Sequence, residues 1–342
     1  MKIWIDLANS PHVPFFSSLQ KEFLSRGHQV EITARDFAET VALAEQAQLS
    51  AEVIGGYGGR KVSGKAGNLL SRAWDLGRWA RVRNFGLAVS HNSYSQIVSA
   101  RMLHIPCVTL MDYEYQPANH VAFRFSNKII VPDSFPVKQL KKYGAHVGKV
   151  RRYHGTKEDV YLADFQPSVD FDSQLAEYGI TLTDVLVTMR PPASNALYHQ
   201  FENSLFDEML QRALASPRVK VILLPRDDAQ RGEYSKRINK DLIVPDRPLP
   251  GPDLIAASDL VISAGGTINR EAAALGVPAA SIYAGEWAAI DQMLVEEGRL
   301  VRIRSGKDIE SLNIAKKSRS NARRALNVRG EIVKLILDDD VR

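Results

Sequence analysis

Cysteine is almost missing from the 342 residues: Cys107 stands alone, so no intramolecular disulfide can form. It lies in Ile105-Pro-Cys-Val-Thr-Leu-Met111, an apolar run that reads as a buried strand and favours a packing role over a reactive thiol. Long hydrophobic runs are missing too. No stretch nears the roughly 18 uninterrupted apolar residues of a membrane-spanning helix. Met1 to Leu7 is broken at Asp6 and too short for the core of a signal peptide. These absences lead to the expectation of a reduced, cytoplasmic protein. No Gly-x-Gly-x-x-Gly fingerprint follows the first apolar run, which argues against a dinucleotide oxidoreductase. Gly59-Arg-Lys-Val-Ser-Gly-Lys-Ala66 comes near a P-loop, but Ala66 stands where a hydroxyl would meet magnesium, so ATP hydrolysis is not expected. The eight histidines show no short ligand spacing, so no metal site is expected. No aromatic RNA-binding signature is present either, and nucleic acid is not an expected partner.

What is present belongs to a globular protein: 45% apolar and 24% charged residues, in a chain long enough for about two domains. The net charge of +5 is mildly basic and selects no partner by itself. Apolar runs predict strands at 2–7, 29–33, 87–90, 107–111 and 128–131, with helices at 15–26 and 37–48 and another reaching Ala100. The second half repeats the alternation, with strands at 184–189 and 219–224, a helix over 196–216, and strand-helix units around Leu260 and Ala279. Alternation of this kind implies parallel sheets covered on both faces. Residues 157–172 lack periodicity and read as an interdomain linker. A last helix over about 314–337 is expected to pack back on the first domain.

The richest stretch is Ser258-Asp-Leu-Val-Ile-Ser-Ala-Gly-Gly-Thr-Ile-Asn-Arg-Glu-Ala-Ala-Ala-Leu-Gly-Val-Pro278. Leu260 to Ser263 predicts a buried strand, Gly265-Gly266 a turn, Thr267 an N-cap, and Gly276 with Pro278 the end of a helix. A helix N-terminus behind glycines is an anion site: outward N–H groups and the helix dipole favour a phosphate, and the glycines let it approach. Glu271, further along, would accept from ribose hydroxyls. An ordinary βα corner fits the same residues. Arg190 and Arg226 follow apolar runs and so belong at the same rim, as phosphate forks or as surface ion pairs. Residues 60–83 hold seven basic side chains against Asp75, interleaved with Leu69, Leu70, Trp74, Leu76 and Trp79. They admit two readings: a solvated face with the tryptophans packed inside, or a peripheral contact with the inner face of an anionic membrane.

Two α/β halves with a Gly-Gly turn and a following Glu resemble the GT-B superfamily of nucleotide-sugar glycosyltransferases and UDP-N-acetylglucosamine 2-epimerases. Asp6-Leu-Ala-Asn-Ser-Pro-His-Val-Pro-Phe15, Thr33-Ala-Arg-Asp-Phe37 and Ala264-Gly-Gly-Thr-Ile-Asn-Arg-Glu271 are closest to the GT-B-like domain-of-unknown-function family 354, over nearly the whole chain. The resemblance implies an α/β fold of two Rossmann-like, doubly wound parallel-sheet domains facing across a cleft. Residues 1–165 would form the acceptor domain, 166–320 the nucleotide-sugar domain, and 321–342 a returning helix. It implies no tightly bound cofactor, a UDP-sugar as substrate, a glycan or lipid-linked acceptor, and a diphosphate that accepts a divalent cation without demanding one. Arg190, Arg226, Gly265, Gly266, Thr267 and Glu271 would hold the nucleotide-sugar. Asp291 and Gln292 take the place where the family puts sugar-contacting groups.

In the first domain Asn9, Ser10 and His12 follow the first strand and would line the cleft. His12 is the candidate general base, since an imidazole titrates near neutral pH. A helix start capped by Ser10, with Pro11 in its first turn, fits the same loop. Asp112 and Glu114 follow the strand ending at Met111, as acid and base, as cation ligands, or as a solvated loop. His91 follows another strand and joins the rim. The chain departs from the epimerases where their paired acidic residues become Arg270-Glu271 and their histidine-arginine phrase becomes Met189-Arg190. A glycosyltransferase is therefore expected first, with a UDP-sugar 2-epimerase and a non-catalytic nucleotide-sugar binder as alternatives.

Overall fold

A computed structural model describes residues 1–37, 39–56, 62–192, 199–237, 239–318, 322–323 and 325–338, with 62–69 and 199–203 described by backbone alone. The chain divides into two units. One comprises Met1–Tyr161, Ala288–Ile290 and Ala325–Arg342, the other Leu162–Trp287 and Asp291–Arg324.

The first unit is built on seven parallel strands, β1 (Lys2–Leu7), β2 (Gln29–Ala34), β3 (Ala51–Val53), β4 (Leu87–His91), β5 (Cys107–Leu110), β6 (Lys128–Pro132) and β7 (Val150–Tyr153), in the order β3-β2-β1-β4-β5-β6-β7. Alternation along β1 sends its side chains to two layers. Ile3, Ile5 and Leu7 join Phe15, Phe16, Leu19 and Phe23 of the His12–Ser25 helix and Val328, Ile332 and Ile336 of the C-terminal helix. Trp4 joins Leu76 and Ala80 of the Val62–Ala80 helix, with Phe123 and Cys107, on the opposite face. Burial pushes the Cys107 thiol up to about 12, so it stays protonated and inert. The C-terminal helix covers Leu326–Leu337, shorter than its apolar pattern suggested. Its last carbonyls are met by buried Lys128, whose Nζ donates to Leu335 O (2.7 Å) and Asp338 O (3.0 Å).

The second unit has six parallel strands, β8 (Val185–Arg190), β9 (Val219–Leu223), β10 (Leu242–Ile243), β11 (Leu260–Ser263), β12 (Ala279–Ser281) and β13 (Leu300–Arg302), ordered β10-β9-β8-β11-β12-β13. The edge strands β3, β7, β10 and β13 were not anticipated, because runs of two to four residues are too short to carry a period. The segment read as a linker holds helices at Lys157–Leu162 and Phe171–Glu177. Residues 59–61 of the P-loop-like phrase, and residues 60 and 61 of the basic segment, lie outside the described residues, and from Val62 the chain is helical. Among the described residues no helix is long and apolar enough to cross a membrane.

Candidate functional site

Each sheet changes winding direction once, and ligands of open α/β sheets gather beyond the strand carboxyl ends at that switch. In the first unit the switch lies between β1 and β4, paired at Asp6↔Ser90. His12 opens the helix after β1, and His91 ends β4. Their ring centroids are 4.8 Å apart and both side chains are buried. His91 Nε2 lies 3.5 Å from Asp112 Oδ1, and Lys157 Nζ donates to Asp112 Oδ2 at 3.0 Å, with Glu158 Oε1 at 3.7 Å. Three sequence candidates thus form one cluster, completed by Lys157 and Glu158. Sequence reasoning assigned those two to a linker, and no local signal marks them, since Asp112 is 45 residues from Lys157. Among the described residues no three His, Cys, Asp or Glu side chains gather as a metal-holding group.

His12 Nδ1 is buried with no hydrogen-bond partner among the described residues. Burial holds its imidazole well below the usual range, helped by His91 and Lys157 and opposed by Asp112. The folded His12 is therefore a neutral base at pH 7. The unfolded chain binds this proton near pH 6.5 and the folded one only at lower pH, so stability falls as pH drops below about 6.5, by up to about 1.4 kcal/mol per pH unit until the folded group titrates. Denaturant midpoints at pH 7.5 and 5.5 should show this loss, reduced in His12→Gln. An equal loss in both proteins would mean that His12 is not held neutral.

The remaining candidates of this unit point elsewhere. Ser10 does not cap the helix: Pro11 occupies the N-cap position without a side-chain bond. Ser10 Oγ instead accepts from Glu39 N (3.2 Å) and meets Thr40 Oγ1 (3.4 Å), because the chain turns under Ser10 before the helix begins. Asn9 is exposed, and its Oδ1 accepts from Ser10 N. Glu114 is buried and accepts from Ala289 N at 2.7 Å. The same unit holds a buried ion pair that sequence reading missed. Arg72 Nη1 and Nη2 donate to Asp6 Oδ2 (2.9 Å) and Oδ1 (2.8 Å), with Thr33 and Ser93 hydroxyls completing the carboxylate.

In the second unit the switch lies between β8 and β11, and Arg190 pairs with Ser263 there. The Gly266–Leu275 helix starts at this point. Its N-cap is Gly265, not Thr267, which sits inside the first turn with no side-chain capping bond. The cap position falls on glycine because Ser263 Oγ already serves the corner, accepting from Gly265 N and donating to Gly265 O. Arg226, exposed beyond β9, donates from Nε to Pro191 O (2.6 Å), and its Nη2 lies 2.9 Å from where a side chain on Gly265 would begin. Arg190 is half-buried, its Nε without a hydrogen-bond partner among the described residues. Arg270 Nε and Nη2 bind Asp291 Oδ1 (2.7 Å) and Oδ2 (3.0 Å), and its Nη2 lies 3.2 Å from the Cβ position of Gly266. Asp291 thus holds an arginine beside the glycines. Glu271 is half-buried in the next turn and Gln292 is exposed. Asn269 was not anticipated: it is 1% exposed, and neither of its polar atoms has a partner among the described residues.

A family model described as protein of unknown function (DUF354) matches residues 1–341. The chain belongs to the DUF354 family. A protein of Methanocaldococcus jannaschii is 28% identical over 315 residues, covering 90% of this chain and 89% of that one. Among solved structures, the UDP-GlcNAc 2-epimerase of M. jannaschii matches with TM-score 0.70 at 12% identity, covering 98% of this chain and 99% of that one. The Neisseria meningitidis UDP-GlcNAc 2-epimerase bound to UDP-GlcNAc gives 0.70 at 14%, over 91% and 90%. Anabaena HepE in complex with UDP-glucose gives 0.63 at 17%, over 99% and 96%. At these identities the likeness is one of fold, and the fold is GT-B-like.

Proposed function

We propose that this chain is a UDP-sugar-dependent glycosyltransferase, with the N-terminus of the Gly266–Leu275 helix as the seat of the diphosphate. One observation carries the reading. At the switch point of the second sheet, glycine leaves the helix N-terminus open, and the Arg226 guanidinium stands 2.9 Å from where a side chain would begin. Backbone N–H groups and guanidinium together stabilise a departing diphosphate. That a UDP-sugar is the ligand is supported by fold neighbours whose structures hold UDP-GlcNAc or UDP-glucose. In the reaction an acceptor hydroxyl oxygen bonds to the anomeric carbon and the bond from that carbon to the β-phosphate oxygen breaks. UDP leaves with the electron pair, and the hydroxyl proton passes to neutral His12. The acceptor class is a glycan or a lipid-linked sugar.

Epimerisation at C2 is the second reading, favoured by neighbours that are UDP-GlcNAc 2-epimerases. Against it, Arg270 stands where the sequence resemblance puts an acidic residue in epimerases, and it is bound to Asp291. Calorimetry with UDP, GDP and UDP-GlcNAc should show UDP binding, weakened in Glu271→Ala. His12→Ala should keep that binding and lower sugar transfer by about 100-fold. No binding of any nucleotide overturns both readings, and C2 inversion without an acceptor replaces the first by the second.

A further inference from the structure

The four tryptophans divide sharply. Trp4 and Trp287 are buried, and Trp79 is half-buried, its ring 5.7 Å from Trp4 and stacked on Phe85. Trp74 is 62% exposed, on the same helix as Trp79. One turn before it Leu70 is 64% exposed, and past the helix end Val82 is 76% exposed. Arg78 and Arg81 are exposed between them, and among the described residues neither makes a salt bridge. The spacing 70, 74, 78 and 81 follows the helical repeat, which the bond from Arg81 N to Gly77 O carries past Ala80, so these side chains form one stripe with Val82 next to its end. The inward face is committed elsewhere: Arg72 to Asp6, Leu76 to the core, and Arg83 to Glu31 and to the Trp79 ring at 4.2 Å.

We infer that this stripe is a docking surface for an anionic membrane. Three apolar side chains are far fewer than the roughly 20–30 residues a side of a stable protein interface. An indole flanked by aliphatic groups and arginines suits the boundary between headgroups and acyl chains, where the ring sits at the interface and guanidinium groups reach lipid phosphates. Asp75 is exposed on the same side and opposes binding, but the two arginines outnumber it. The inference does not depend on the UDP-sugar reading.

The full chain should float with vesicles containing about one-third phosphatidylserine and not with phosphatidylcholine alone. Because Trp4 and Trp287 are buried and half-buried Trp79 is stacked on Phe85, a blue shift of emission on adding vesicles reports chiefly Trp74, and Trp74→Phe should abolish most of it. Leu70→Ala with Trp74→Ala, and separately Arg78→Glu with Arg81→Glu, should each weaken vesicle affinity about tenfold while leaving circular dichroism and UDP affinity unchanged. Absence of flotation by the unsubstituted chain overturns the inference. So does equal flotation of the variants, or a dimer lost in Trp74→Ala without vesicle binding.

Discussion

Arg72→Met should cost the first unit about 3–5 kcal/mol, the largest stability effect expected of a single exchange in this chain. Asp6 is fully buried at the carboxyl end of β1, and its two oxygens receive four donors from three elements. Thr33 Oγ1 on β2 donates to Oδ1 at 2.6 Å, Ser93 Oγ after β4 to Oδ2, and the Arg72 guanidinium to both. Methionine fills the volume and leaves two hydroxyls against an uncompensated buried charge. The arginine is itself built in: its Nε donates to Ile54 O at 2.8 Å, and Gly55, at φ +79°, would bring any side chain to within 2.8 Å of Arg72 Cδ. Asp6→Leu combined with Arg72→Met should recover part of the loss, since removing both charges removes the unpaired one. Guanidinium unfolding followed by the emission of Trp4 and Trp79 reads this unit. A loss under about 1 kcal/mol for Arg72→Met would show that Asp6 does not depend on its cation.

Gly265→Val is expected to lower UDP affinity by about 10- to 100-fold while barely moving stability. Gly265 sits at φ −144°, ψ 157°, extended backbone that valine adopts readily, so the exchange strains nothing in the fold. What changes is the space in front of the helix. A Cβ there stands 2.9 Å from Arg226 Nη2, so the guanidinium must swing away while its Nε is held on Pro191 O. The branched side chain then occupies the volume through which the proposed diphosphate would reach the N–H groups. Calorimetry with UDP and a thermal melt of both proteins check the two halves of this expectation. Undiminished affinity would place the diphosphate elsewhere, and a collapse of stability would mean that the glycine serves the fold.

The sheets, their parallel sense and the glycine corner were legible because each rests on local pattern. β1 and β11 coincide with their apolar runs, and Gly276, at φ +70°, ends the helix after Leu275 as its position implied. The errors are equally physical. Thr267 has a good capping side chain, but Ser263 reached the turn first, and a cap belongs to whichever hydroxyl the corner presents. Ser10 lost its helix because its hydroxyl is engaged by Glu39 N and Thr40 Oγ1, leaving Pro11 in the N-cap position without a side-chain bond. The basic segment was legible as basic and tryptophan-bearing but not in its division: Trp79 and Trp74 differ by five positions, and helix rotation alone sends one inward and one outward.

The sequence by itself determined the family and the two-sheet α/β architecture. It also determined the glycine corner at Gly265-Gly266 between β11 and the helix that follows, since strand runs, glycines and helix stops act over a few residues. Only the tertiary structure decided which charges meet. Asp112 found Lys157, Asp6 found Arg72, and Asp291 found Arg270, partners 45, 66 and 21 residues apart. Their pairing depends on strand order, because adjacent parallel strands bring distant carboxyl ends to one rim, and no local period encodes that neighbourhood.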